Sequence, residues 1–315
     1  MKRVLGVLRS PVVKWAFLAL ALAFAAYFVG TRWNEIVAAL ARMPAWSPLL
    51  ALIASAVYVG LTLESWRRIL HDLGHPIALR PAVALFGVSQ IAKYIPGGVW
   101  NIAAAADLGR AHGIPARHSV AAMTVALLIS LVSGVGIGAL GFLIAPTPAL
   151  ADWAWLMWLG VPLLVLLVPP VMNRVIGFAW RVLRLEPLET PGGMLSTRGV
   201  GVATLWAALA WIVAGTAVAA LAIGLGAPAT VHTVIQCIGG YALAWVIGFL
   251  FVIAPAGAGV REVVLAAALA GTLASAEIVT LVLLSRVLLT VVDLGFAAVG
   301  GAETRLARRR LRAAK

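Results

Sequence analysis

The composition of this 315-residue chain is that of a protein whose main solvent is lipid. Hydrophobic residues make up 63% of it and charged residues 11%, whereas soluble domains have roughly 45–50% apolar and about 25% charged residues. An ordinary soluble protein is therefore excluded. The net charge of +13 comes from short basic clusters between apolar segments. That pattern orients a membrane protein and does not predict nucleic-acid binding.

Seven apolar runs are long enough to cross a bilayer, which takes about 20 residues per helix. In chain order they cover 12–30, 46–63, 119–145, 153–172, 199–225, 233–254 and 277–301. Basic residues precede the first run and further membrane segments follow it, which is typical of an uncleaved first helix. Residues 1–315 are thus predicted to form a single integral membrane domain, all-α and polytopic.

Two further segments, 82–109 and 255–273, are interrupted by proline and glycine. Broken backbone survives at membrane depth only where protein or a water-filled cavity covers it. We expect both segments to be re-entrant, the second of them paired with 233–254, and about six runs to be full spans. Paired breaks in two halves of a chain indicate an inverted-repeat transporter with its substrate site at the breaks.

The distribution of Lys and Arg predicts the orientation. Loops 146–152 and 226–232 contain neither residue, whereas loop 173–198 and the tail 303–315 are rich in arginine. Because basic loops stay inside, both termini and the basic tail are expected in the cytoplasm of a cell inner or plasma membrane protein. This orientation holds if segment 82–109 enters the membrane and returns to the same side. Pieces of unequal length that do cross the membrane would also be consistent with it.

The last apolar run contains two charged residues at membrane depth, Arg286 and Asp293. A charge there costs about 2.5–3.5 kcal/mol on insertion scales, so such residues are usually functional. Seven residues are nearly two helical turns, which places both side chains on one face about 10 Å apart. One interpretation is that Arg286 binds a phosphate or another anion while Asp293 balances charge or takes a proton. The alternative is a structural ion pair.

The two breaks supply the remaining candidate residues. Glycines let the chain turn sharply before a helix whose free N–H groups attract an anion, and an arginine there matches phosphate. In the second break the candidates are Pro255, Gly257, Gly259, Arg261 and Glu262. In the first segment they are Lys93, Pro96, Gly97, Gly98, Asn101 and Arg110. For Lys93 the alternative is a side chain that reaches the headgroup layer.

No cofactor or metal is predicted. His71 and His75 are spaced as HxxxH, but Gly74 and Pro76 break the helix and no third ligand accompanies them. The chain contains no Walker A, GxSxG or HExxH pattern, so neither an ATP-driven nor a standard hydrolytic mechanism is indicated.

Three segments together resemble one known family. They are Ser65–Leu70, Gln90–Gly98 and above all Pro255–Glu262, with Arg286 as a further match. They look like the flippase-like membrane domain of lysylphosphatidylglycerol synthases, and the resemblance spans roughly residues 10–302. It implies a domain that moves an anionic or aminoacylated lipid between leaflets. Trp100-Asn101 depart from the Gly-Glu pair often seen in relatives.

The leading functional hypothesis is a lipid translocase without enzymatic activity. Its partners would be membrane lipids, either phospholipid or polyprenyl-phosphate-linked. Lysyl transfer is not expected, since the chain ends at Lys315 where the synthases continue into a soluble transfer domain. Two alternatives remain open: a non-catalytic partner of a cell-envelope glycosyltransferase or lipid-modifying complex, and an intramembrane lipid-modifying enzyme that uses Glu262 or Asp293. The sequence selects neither the lipid, the direction of transport nor the oligomeric state.

Overall fold

The computed structural model describes residues 30–31, 33–94, 100–182, 195–251 and 259–313. These residues form α-helices and short 3₁₀ turns with no β-strand among them, which confirms the predicted all-α polytopic fold. The helices are α1 Trp33–Arg42, α2 Trp46–Asp72, α3 Leu79–Ile91, α4 Trp100–Arg110, α5 Ala116–Ile144, α6 Ala154–Leu163, α7 Pro169–Val182, α8 Thr197–Gly224, α9 Val231–Leu250, α10 Val260–Ala268 and α11 Ser275–Ala313.

Five of these helices are long and apolar enough to cross a membrane: α2, α5, α8, α9 and the Ser275–Glu303 part of α11. A sixth crossing results if a bent pair in the middle of the chain is counted as one span. The predicted first span, 12–30, lies outside the described residues. The predicted tail at 303–315 is helical as far as Ala313, because α11 continues into it without a break.

Helices α2 and α8 pack antiparallel at the centre of the bundle. The Ser47 hydroxyl donates to the Ala220 carbonyl (2.8 Å) near the start of α2, and the Ser65 hydroxyl donates to the Ala203 carbonyl (2.9 Å) further along it. Beyond that, Asp72 accepts hydrogen bonds from the backbone N–H and the hydroxyl of Ser196, the residue that caps α8. We call this the basic end of the bundle, since Arg67, Arg68 and Arg198 lie there.

Glycines allow α5 and α9 to pack closely and antiparallel. A Cβ atom on Gly141 would lie 2.7 Å from the Gly239 Cα atom, and one on Gly134 would lie 2.9 Å from the Val246 side chain. Only a residue without a side chain permits such an approach. The start of α9 therefore lies at the end of the bundle opposite the basic end, close to where α8 finishes.

Helices α3 and α4 form the first hairpin, Leu79–Arg110. His75 precedes it and His118 follows it, and their ring centroids are only 4.6 Å apart. The chain thus enters this hairpin from the basic end and returns there. Inside the bundle α3 runs antiparallel to α11: a Cβ on Gly87 would lie 2.6 Å from the Phe296 carbonyl oxygen.

Helices α9 and α10 form the second hairpin, Val231–Ala268. Near the start of α9, the Gln236 side chain donates to the Ala268 carbonyl at the end of α10 (2.9 Å) and accepts from the Thr272 hydroxyl (2.9 Å). The second hairpin therefore begins and ends opposite the basic end. The two hairpins approach the middle of the bundle from opposite ends, which is the course predicted for the broken segments.

The apolar run 153–172, predicted to be long enough to span, does not form one continuous helix. The helical path breaks at Val168, and the segments Gly160–Leu167 and Pro169–Phe178 meet at 89°. The cause is the pair of prolines at 169 and 170, because a residue before proline is driven out of the helical conformation. Val168 is accordingly extended (φ −75°, ψ 117°). The second segment, α7, leaves the bundle axis and exposes Arg174 and Arg181.

Candidate functional site

Arg286 and Asp293, the two charged residues predicted at membrane depth in α11, form ion pairs with the hairpins. Arg286 pairs with Glu262, the third residue of α10: its Nε donates to Glu262 Oε1 over 2.7 Å, and its Nη2 lies 2.6 Å from the same oxygen. This pair ties the second hairpin to α11. Charge-assisted bonds of this length are the strong ones in proteins, so the contact fixes α10 against α11.

Asp293 is bound by the end of the first hairpin. Its Oδ2 atom lies 2.7 Å from Lys93 Nζ and accepts a hydrogen bond of 2.6 Å from the Tyr94 hydroxyl. The Asp293 side chain is 0% exposed, and its other oxygen, Oδ1, is buried with no hydrogen-bond partner in the described part of the chain. Lys93 is therefore an ion-pair partner inside the bundle, and the alternative that it extends to the headgroup layer does not describe this structure.

The two ion pairs have opposite polarity. The first hairpin contributes the cation Lys93 to an acid on α11, and the second contributes the anion Glu262 to a base on α11. Arg286 and Asp293 thus each have a partner on a different hairpin. Residues seven apart on a helix lie on one face but are too distant to touch, since only i,i+3 and i,i+4 neighbours meet.

A third cation, Arg261, lies beside the Glu262–Arg286 pair. The chain enters α10 through Gly259, whose φ of +85° suits glycine and few other residues. The Arg261 side chain then packs on Gly248, and its guanidinium carbon lies 4.8 Å from the centre of the Trp245 ring. Its Nε atom is buried and has no hydrogen-bond partner among the described residues. The guanidinium thus rests on an aromatic face rather than on a carboxylate.

These groups line a small cavity between α9, α10 and α11. The cavity volume is about 20 Å³, which suffices for about one water molecule. The lining residues are Tyr241, Ala244, Trp245, Arg261, Glu262, Leu265, Val282, Ser285, Arg286 and Leu289. In this conformation the cavity is too small for a lipid headgroup.

Aromatic rings form one wall of the cavity and continue into the bundle. Trp211 packs edge-on against Trp245 with centroids 5.2 Å apart, and Phe249 stacks on Trp245 at 5.5 Å. Tyr58 and Tyr241 extend the cluster, with centroids 6.5 Å apart. The sequence analysis missed this wall. One signal was present: Trp245 lies inside an apolar run, away from the helix ends where membrane tryptophans usually gather.

The structure brings together five of the predicted site residues, and the others divide into three groups. The five are Lys93, Arg261, Glu262, Arg286 and Asp293. Arg110 lies at the far end of α4 with its side chain 68% exposed, 4.0 Å from Asp107, and so belongs to the surface. Asn101 is half-buried in the first turn of α4, and Gly259 precedes α10. Pro96, Gly97, Gly98, Pro255 and Gly257 lie outside the described residues.

The site has an excess of positive charge. It holds three cations, Lys93, Arg261 and Arg286, against two carboxylates, Glu262 and Asp293, so its formal charge is +1. Uncompensated charge in a low-dielectric environment is unfavourable unless a counter-charge arrives. The arrangement can therefore bind one anion at Arg261, and phosphate matches the fork of a guanidinium.

The described part of the chain offers no site for a metal ion. No group of three or more His, Cys, Asp or Glu side chains is placed to hold one there. His75 and His118 are stacked edge to face without an accompanying carboxylate or thiol ligand among the described residues.

The comparison with known families agrees with this architecture. The sequence pattern described as "Lysylphosphatidylglycerol synthase TM region" matches residues 11–296, which is nearly the whole chain. No curated protein sequence matches the chain. The matched region is the non-catalytic membrane part of those synthases, and the family is related to lipid handling. With five to six apolar helices of spanning length, the chain is a multi-pass membrane protein that belongs to the lysylphosphatidylglycerol synthase transmembrane-region family.

Proposed function

We propose that this protein is a translocase that moves a phosphate-bearing, anionic lipid from one leaflet to the other. The observation that carries the proposal is Arg261, a cation at the cavity that forms no ion pair with a carboxylate among the described residues. It leaves the buried cluster one positive charge in excess. A phosphate headgroup would supply the missing anion, while its acyl chains stay in the surrounding lipid.

The small cavity among the described residues supports a closed state of the site. With room for about one water molecule, the site is closed, and a headgroup enters only if one hairpin moves away from α11. Among the described residues, one ion pair links each hairpin to α11, Lys93–Asp293 for the first and Glu262–Arg286 for the second. Release of one pair while the other holds would open the site toward one leaflet at a time.

The opposite directions of the two hairpins support this scheme. Transporters built from inverted repeats place their substrate between broken helices near the membrane midplane. Here the hairpins come from opposite ends and meet the same helix seven residues apart, at Arg286 and Asp293. We propose that they are the corresponding elements of two inverted halves, that the basic end faces the cytoplasm with both termini, and that the membrane is the cell inner or plasma membrane.

In this proposal the lipid is carried without chemical conversion. Both carboxylates of the site already neutralise a cation, and no Walker A motif supplies ATP-driven force. Movement then follows either the lipid's own gradient or that of a coupled ion. The substrate class is set by its phosphate, which phospholipids and polyprenyl phosphates share.

The test is lipid movement in proteoliposomes with Arg261→Gln as the variant. Labelled phosphatidylglycerol and a labelled polyprenyl phosphate are supplied in turn, and the fraction that changes leaflet is measured over time. Wild-type protein should move at least one of them, and Arg261→Gln should reduce the rate by tenfold or more. Arg110→Gln is the matched control, since it removes the same charge from an exposed position outside the site.

Absence of movement with folded wild-type protein would overturn the proposal and favour a non-catalytic envelope partner. A chemically altered lipid recovered from the vesicles would instead favour the intramembrane enzyme. Equal rates of lipid movement for wild type and Arg261→Gln would show that the excess positive charge at Arg261 is not needed for transport.

A further inference from the structure

We infer that Asp293 binds a proton that travels with the lipid, so that one proton is carried with each negative charge of the headgroup. The inference rests on the proposed function and specifies its coupling ion. It follows from the way Asp293 is held at the end of the first hairpin.

The carboxylate of Asp293 has two partners, and both are on the same oxygen. In the closed state its charge is balanced by Lys93 Nζ at 2.7 Å and by the Tyr94 hydroxyl at 2.6 Å, both on Oδ2. The other oxygen, Oδ1, is buried and accepts no hydrogen bond from the residues that the structure describes. An ionised carboxylate cannot remain in such a place once its cation leaves, whereas a protonated one is tolerated.

Movement of the first hairpin therefore requires a proton on Asp293. A proton from the open side forms an O–H bond on the carboxyl group, and the attraction to Lys93 is lost. The ammonium of Lys93, now unpaired, joins the Arg261 guanidinium as a second cation for the lipid phosphate. When the lipid leaves on the other side, Lys93 returns to Asp293 and the proton departs to that side.

The charge of the site stays constant through this exchange. The proton adds one positive charge and a phosphodiester adds one negative charge, so the occupied site keeps the formal charge of +1. Because no net charge then crosses the bilayer, the membrane potential neither drives nor opposes the step. A proton gradient across the membrane drives it.

Glu262 is a poorer candidate for the proton. Both of its contacts come from the guanidinium of Arg286, which keeps its charge at any physiological pH, and its side chain is 29% exposed. Asp293 is fully buried and faces a lysine, whose charge responds to its surroundings. The other ionisable groups that face the Asp293 region are Tyr94 on the first hairpin, Tyr58 on α2, Tyr241 on α9, Arg261 and Glu262 on α10, and Arg286 on α11.

The experiment measures the leaflet distribution of labelled phosphatidylglycerol in proteoliposomes that carry a pH difference of about one unit. If one proton moves with each lipid, the labelled lipid should be about tenfold more concentrated in the leaflet on the alkaline side at equilibrium. A tenfold lower proton activity on that side then balances a tenfold higher lipid concentration. Without the pH difference it should distribute evenly. Setting a membrane potential with potassium and valinomycin should leave the distribution unchanged.

The matched variants are Asp293→Asn and Asp107→Asn. Asn cannot take the proton, so Asp293→Asn should lose the accumulation, whereas Asp107→Asn, at an exposed position on α4, should keep it. Wild-type protein tests the coupling without reference to any variant. Movement with an even distribution despite the pH difference would overturn the inference and leave the proposed function standing; absence of movement would overturn both.

Discussion

Removing Lys93 alone should destabilise the protein far more than removing Lys93 and Asp293 together. In Lys93→Met the Asp293 carboxylate remains 0% exposed, with the Tyr94 hydroxyl as its remaining partner on Oδ2. Loss of one partner of a buried pair costs about 3–5 kcal/mol. We expect the free energy of unfolding to fall by about 3 kcal/mol, at the lower end of this range. The reason is that the Lys93 side chain is 29% exposed and that Tyr94 stays in place.

In the double variant Lys93→Met, Asp293→Leu both charges of this pair are removed, so neither is left buried without the other. Replacement of a buried pair by apolar residues of similar volume is often neutral, so most of the lost stability should return. The assay is reversible unfolding in mild detergent micelles, followed by tryptophan fluorescence, for the wild type, both single variants and the double variant. The Asp107–Arg110 pair is the control: it is exposed, and its coupling should be about 0–1 kcal/mol.

The reasoning is refuted if Lys93→Met and the double variant are equally stable, or if the coupling at Lys93–Asp293 is no larger than at Asp107–Arg110. Either result would mean that Asp293 is not held in the buried, paired state described.

Three further changes probe the rest of the site. Glu262→Gln raises the formal charge of the cluster to +2, so a soluble glycerol phosphate headgroup should bind more tightly in calorimetry; unchanged or weaker binding would contradict this. Gly87→Ala places a methyl group against the backbone of α11 and should cost about 1–3 kcal/mol of unfolding free energy, whereas Gly60→Ala, with nothing within 4 Å, should be neutral or stabilising. Gln236→Leu removes the link between the ends of the second hairpin and leaves the Thr272 hydroxyl without its acceptor. The free energy of unfolding should fall by about 1–3 kcal/mol, and the melting temperature should fall with it. An unchanged melting curve would show that the link is dispensable.

The elements that follow from hydrophobicity and charge could be predicted from the sequence. An apolar run such as 199–225 has only one stable conformation in lipid, a helix whose backbone groups hydrogen-bond to one another. Helix α8 occupies nearly those residues. For the broken segments, the positions of the basic residues predicted a re-entrant course, with unequal crossing pieces as the alternative. The family resemblance rested on Pro255–Glu262, and the family match over residues 11–296 confirms it.

What could not be predicted depends on contacts between distant parts of the chain. The spacing of Arg286 and Asp293 shows that they share a helix face, but not that each meets a different hairpin. The bend at Val168 was missed because the apolar composition of 153–172 outweighed its two prolines in the interpretation. The aromatic wall at Trp245 was missed because periodicity places a residue on a face and says nothing about what that face meets.

The most direct test of the central claim is whether the wild-type protein accelerates leaflet exchange of a phosphate-bearing lipid over protein-free vesicles of the same composition. A labelled, uncharged glycolipid with the same acyl chains serves as the comparison in parallel vesicles. The account predicts faster exchange for the phosphate-bearing lipid and none above background for the glycolipid. Equal acceleration of both, or of neither, would contradict a site built around Arg261 for an anionic headgroup.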